Sequence, residues 1–135
     1  VETIVNIACD WLRVGSVEVV QITGELDAET GKQLLASVES RLADQHPLVL
    51  DLTRVTFTDC RGLSVLLAIG RRARRSGGWA RAAGVVGPTA ALFDVFDVWP
   101  VLGGRNPVDL EVRRALGAAA AEAPLRPLVA SAGEG

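Results

Sequence analysis

The stretch Phe57-Thr58-Asp59-Cys60-Arg61-Gly62-Leu63 constrains the fold of this chain more than any other. It follows an apolar run ending in Asp51-Leu52-Thr53 and precedes a helix-forming run, so a strand hands over to a helix there. In a parallel α/β sheet that handover lies at the carboxyl end of a strand, where sites are usually built. The strand itself is opened by Pro47 and predicted over Leu48 to Thr53. Leu48, Leu50 and Leu52 alternate with Val49, Asp51 and Thr53, so one face is wholly apolar and the other carries Asp51. Such a strand belongs to a sheet covered mainly on one side.

The flanking segments supply the remaining elements. Val5 to Ala8 reads as a short strand, and Cys9 to Ser16 as a turn broken by Gly15-Ser16. Val17 to Thr23 is β-branched and reads as a second strand, antiparallel to the first because the connection is short. Asp27 is a helix N-cap, with Glu29 in the first turn, and Leu34, Leu35, Val38 and Leu42 recur at helical spacing. A second helix is predicted from about Arg61 to Arg75, stopped by Gly77-Gly78. Trp79 to Val86 reads as a fourth strand, Gly87-Pro88 starts a third helix, and Trp99 to Leu102 reads as a short fifth strand. Val108 to about Glu122 reads as a final helix, and residues 123–135 as a loose tail. With strands in sequence order, right-handed crossovers place the helices mainly on one face.

At 135 residues the chain is long enough for one domain with a real core. A net charge of -2 argues against a general nucleic-acid binder. No apolar run approaches the roughly 20 residues of a membrane span, and no signal-peptide pattern follows Val1. Basic residues are almost all Arg and Ala is abundant, as in a GC-rich bacterial gene. Cys9 and Cys60 form no metal or redox spacing, which fits reduced thiols in a cytoplasmic protein. They are predicted at opposite ends of the sheet, too far apart for a disulfide.

Catalytic chemistry finds little support. Gly62-Leu63-Ser64-Val65-Leu66 lacks the second glycine of a nucleophile elbow, and Ser64 falls inside a helix. His46 is the single histidine and sits in a turn before Pro47. No phosphate loop exists, and the single lysine, Lys32, lies inside the first helix. No catalytic residue, metal ligand or cofactor is expected. Arg71-Arg72-Ala73-Arg74-Arg75 closes the second helix, where cations favour the negative end of the dipole. What remains is the rim after the second and third strands. It brings Glu25 and Asp27 from one loop beside Thr58, Asp59, Cys60, Arg61 and Gly62 from the other, as a protein-docking surface.

These residues resemble the STAS domain, and specifically the bacterial anti-sigma factor antagonists. The resemblance rests on Gly24-Glu25-Leu26-Asp27, Leu48-Val49-Leu50-Asp51-Leu52, Phe57 to Leu63, Gly77-Gly78 and Leu92-Phe93-Asp94, collinear over about Val17 to Leu102. It implies an α/β STAS fold over residues 1–122. The sheet would be mixed, with about five strands, one of them antiparallel, and about four helices mainly on one face. It also implies partner switching in transcription regulation. An unmodified antagonist binds an anti-sigma factor, usually a serine kinase-like ATPase, and releases the sigma factor. Phosphorylation just before the motif glycine adds about 1.5 to 2 negative charges and reverses docking.

One departure is decisive. The family pattern Asp-Ser-Ser/Thr-Gly reads Asp59-Cys60-Arg61-Gly62 here. Arg61 takes the acceptor position, carries the opposite charge and cannot be phosphorylated. The expected protein is therefore a non-enzymatic, antagonist-like binder of an anti-sigma factor, without the usual switch. The alternative is a STAS accessory subunit docked on another partner, such as a lipid-transporter ATPase. Thr58 and Ser64 are the alternative phosphosites, Cys60 is a candidate redox-sensitive thiol, and a homodimer is among the expected assemblies.

Overall fold

The computed structural model describes residues 7–41 and 47–103. Four strands form one sheet in the order β1-β2-β3-β4: β1 Ile7–Val14, β2 Val17–Leu26, β3 Leu48–Thr58 and β4 Ala80–Ala83. β1 and β2 pair antiparallel around Gly15, whose φ of 62° closes the turn. β2, β3 and β4 run parallel. The crossovers are α1 Ala28–Arg41 and α2 Cys60–Arg75, and α3 Gly87–Val95 follows β4.

The alternation in β3 does what its pattern dictates. Leu48, Leu50 and Leu52 enter the main core with Val20 and Ile22 of β2, Leu34 and Val38 of α1, Leu63, Leu66 and Ile69 of α2, and Phe93 of α3. All three helices thus bury their apolar sides against one face of the sheet. The other face carries a smaller cluster of Val19 and Val49 with Leu12, Val14, Val17, Trp79 and Ala83. Asp51 lies on that face, its carboxylate accepting from the backbone N–H and hydroxyl of Thr53. β1 is locked to α1 at its far end. Trp11 Nε1 donates to Ser37 Oγ at 3.3 Å, and the Arg41 guanidinium stacks 5.1 Å from the Trp11 ring.

Several predicted boundaries are corrected. β1 runs through Cys9 to Val14, where a turn was expected, because Ile7, Cys9 and Trp11 alternate into the main core. Cys9 therefore sits mid-strand opposite Ile22 rather than at the hairpin end. It is a buried free thiol, pushed up to about 11 by burial and by neighbouring Asp10. β2 and β3 both extend to the rim, to Leu26 and Thr58, through register shifts near Thr23 and Gly24. β4 is shorter than predicted and ends at Ala83, where Gly84 turns the chain with φ 69°.

The fifth strand predicted at Trp99 to Leu102 is absent; that segment is a run of tight turns. Val101 N–H donates to the Val98 carbonyl at 3.0 Å, and Leu102 N–H to Val98 and Trp99 at 3.2 Å. Pro100 has no N–H to give a ladder, and the buried residues Val98 and Leu102 recur at helical rather than strand spacing. A single sheet-like bond survives, Ala82 N–H to the Leu102 carbonyl at 3.1 Å. The predicted helix from Val108, the tail over 123–135 and His46 lie outside the described residues.

Candidate functional site

Parallel pairing puts Leu26 opposite Thr58 and Glu25 opposite Phe57, so the β2–α1 and β3–α2 loops share one edge of the sheet. Each loop ends in an aspartate that caps a helix. Asp27 Oδ1 accepts from the N–H groups of Glu29 at 3.0 Å and Thr30 at 2.9 Å. Thr30 reciprocates: its hydroxyl accepts from the Asp27 N–H at 2.9 Å and donates to the Glu25 carbonyl at 2.6 Å. The N–H of Thr30 is the main reason the Asp27 carboxyl is held below the usual carboxylate range. Asp59 Oδ1 likewise accepts from Arg61 N–H at 3.0 Å and Gly62 N–H at 2.9 Å.

The loops are bolted together at Leu26. Its carbonyl accepts from the Asp59 N–H at 3.1 Å. Gly62 lies directly against the same peptide, and a Cβ there would overlap the Leu26 carbonyl and stand 2.9 Å from Leu26 Cβ. A second close approach joins the crossover helices near their amino-terminal ends. A Cβ on Gly31 of α1 would fall 2.7 Å from Val65 Cγ2 of α2. The rim is therefore a rigid frame made by small residues and short carboxylates.

The seven residues predicted for docking divide by exposure. Glu25, Cys60 and Arg61 are exposed, Asp27 and Asp59 are half-buried, and Thr58 and Gly62 are buried. Thr58 is only 7% exposed, its Oγ1 3.4 Å from Thr89 Oγ1 of α3. Thr58 and Gly62 shape the rim from beneath, and the other five form its outer surface. Ser64, one turn on, is exposed and donates to the Cys60 carbonyl at 3.0 Å. Arg61 carries no ion pair among the described residues. Its charge sits at the positive end of α2, where helix stability gives no reason for a cation.

Two apolar residues join this surface without having been predicted for it. Phe57, beside Glu25 in register, is 51% exposed, and Val86, three residues before Thr89, is 67% exposed. Phe57 lies in the outer half of β3, where Thr53, Arg54 and Thr56 are also exposed, and alternation from Leu48, Leu50 and Leu52 puts it on the opposite face. Among the described residues no cluster of three metal-ligating side chains occurs, and no helix is long and apolar enough to cross a membrane.

Comparison with known proteins gives the frame a family. The model described as "Mlab, STAS domain" matches residues 12–103. No functionally curated protein matches the chain. Among solved structures, an anti-sigma factor antagonist from Mycobacterium paratuberculosis is 24% identical, with a TM-score of 0.65 over 87% of this chain and 97% of that one. The unphosphorylated anti-sigma factor antagonist SpoIIAA is 19% identical, with a TM-score of 0.57 over 84% and 98%. Murine Slc26a9, an anion transporter, is 15% identical, with a TM-score of 0.61 over 79% of this chain but only 18% of the transporter. The family model spans most of the sheet and all three described helices, and the chain belongs to the STAS domain family.

Proposed function

We propose that this chain is a non-enzymatic, antagonist-like STAS regulator. Its rim docks an anti-sigma factor of the kinase-like ATPase type in the bacterial cytoplasm, and so controls transcription. The observation that carries the reading is the α2 amino terminus. Asp59 caps it, Gly62 seats it on Leu26, and Cys60 and Arg61 are presented outward at the position that takes phosphate in switching relatives. Exposed Phe57 and Val86 supply apolar area beside that point, as a docking core needs.

A guanidinium fixed there leaves the surface permanently in its unphosphorylated charge class. No hydroxyl stands at position 61 and Thr58 is buried, while Ser64 on α2, like Thr56 on β3, is exposed. Incubation with the partner kinase and ATP, followed by mass spectrometry, is expected to find no stoichiometric phosphate on α2. Phosphate on Ser64 would show that the switch has moved.

Binding of Arg61→Ser to the anti-sigma factor separates two roles for Arg61. If Arg61 is a tolerated substitution, the variant binds as tightly or more tightly, and this is the outcome expected. A loss of more than about tenfold, or roughly 1.4 kcal/mol, would make Arg61 an anchor for an acidic partner. Failure of wild type to bind any anti-sigma factor from its source would overturn the reading. A second reading is favoured by the Mlab description of the matching model: an accessory subunit docked through the same rim on a transporter ATPase. Affinity capture from the source cell distinguishes the two by the identity of the ATPase retained.

A further inference from the structure

At the opposite end of the sheet from the rim, a cleft of about 170 Å³ opens between the last turn of α2, the start of β4 and the turns at 100–103. Two arginines line it, Arg74 of α2 and Arg81 of β4. Each is held by an uncharged group. Arg74 Nη2 donates to the Pro100 carbonyl at 3.0 Å, and Arg81 stacks 4.7 Å from the Trp79 ring. Arg13 and Arg72, by contrast, are paired with Glu18 and Glu39. Neither cleft arginine meets a carboxylate among the described residues. Each keeps most of its N–H donors unspent, in a forked geometry suited to phosphate.

The surroundings favour an anion as well. Three carbonyls in the last turn of α2 already accept backbone N–H groups. Ser76 and Gly77 N–H donate to Arg72 and Arg74 at 3.1 Å, and Gly78 N–H to Ala73 at 2.9 Å, so the negative helix end is muted. Exposed Arg71 and Arg75 add positive potential nearby. Gly70, Ala80 and Gly103 also line the cleft, and the two glycines let the turns at 101–103 pack closely against α2 and β4. A Cβ on Gly103 would fall 2.6 Å from Arg81 Cγ, so the glycine is what lets Arg81 lie where it does. One face of Trp79 is taken by Arg81.

We infer that this cleft binds a phosphate monoester of small size, through Arg74 and Arg81 together. The site is independent of the rim, which lies on the order of 30 Å away along β3. The test uses the full chain in a phosphate-free, low-salt buffer, with the indole N–H resonance of Trp79 as readout. Inorganic phosphate and glycerol 3-phosphate are titrated as soluble probes, and vesicles containing phosphatidic acid as the lipid source. Saturable shifts of Trp79 are expected, weakened at least tenfold by Arg74→Gln and by Arg81→Gln. Arg75→Gln, on the same helix end but outside the cleft, is expected to change affinity less than twofold, and Arg61→Ser not at all. Thermal melts of each variant confirm that the fold is retained. Soluble esters alone binding, or vesicles alone binding with the same arginine dependence, both support the site and identify its source. Absence of saturation with every probe, or equal weakening by Arg75→Gln, would overturn it.

Discussion

The two ends of the parallel strands are built from opposite materials and held by opposite means. At the carboxyl ends, Asp27 and Asp59 spend their carboxylate oxygens on backbone N–H groups within the next three residues. At the amino ends, Arg74 and Arg81 are held by a carbonyl and an aromatic ring and keep their charges outward. The rim is thus a frame in which charge serves the fold, with Arg61 as the one guanidinium left over. The arginine end is a surface in which the fold serves charge. Side chains at the rim should therefore matter for stability, and those at the arginine end should matter little.

Gly62→Ala is the harshest way to probe that contrast. The new methyl meets the Leu26 peptide, which is backbone and cannot rotate away. Overpacking of this kind costs about 3 kcal/mol, readable as a lower urea midpoint, and the separated loops should lose partner docking with it. A near-neutral result would mean that the rim is looser than its contacts imply.

Removing the cap is milder. Asp59→Ala frees two N–H groups at the start of α2 and should destabilise by about 1 kcal/mol, whereas Asp59→Asn should retain most of the cap. The matched experiment at the other end is the double variant Arg74→Gln, Arg81→Gln. It should shift stability by no more than about 0.5 kcal/mol. A loss as large as that of Asp59→Ala would break the comparison.

The smallest effect is a dependence on pH. The Asp27 carboxyl is lowered in the folded chain, chiefly by the Thr30 N–H. Between its folded and unfolded values the unfolded chain binds the extra proton, so stability rises with pH there. Its contribution is complete above the ordinary carboxylate value of about 3.9 and is lost as pH falls through the lowered one. Wild type minus Asp27→Asn, followed by denaturation from pH 7 down to pH 2, should be flat and then decline at the acid end. A difference that is constant at all pH values would show that the cap does not depend on charge.

Local chemistry made much of this protein legible from its residues. Asp27 and Asp59 cap helices through bonds to residues two and three positions on, so their roles follow from short spacing alone. The one-sided sheet follows from the alternation of Leu48, Leu50 and Leu52 with Val49 and Asp51, since a strand's side chains must alternate. Arg61 needed no fold at all: a side chain without a hydroxyl accepts no phosphate.

Tertiary structure decided whatever depends on partners distant in sequence. Thr58 is hidden because Thr89, 31 residues later, meets it. Gly62 of α2 is obligatory because Leu26 of β2 lies against it. The segment at Trp99 to Leu102 has strand-like composition, but Pro100 denies it a ladder and Val98 and Leu102 find the core by turning. Arg74 and Arg81 read as an ordinary charged helix end and an ordinary strand residue, until packing sets both along one cleft beside Trp79. Short-range hydrogen bonds and periodicity are fixed by neighbours along the chain, while burial and the convergence of charges exist only once distant segments share a surface.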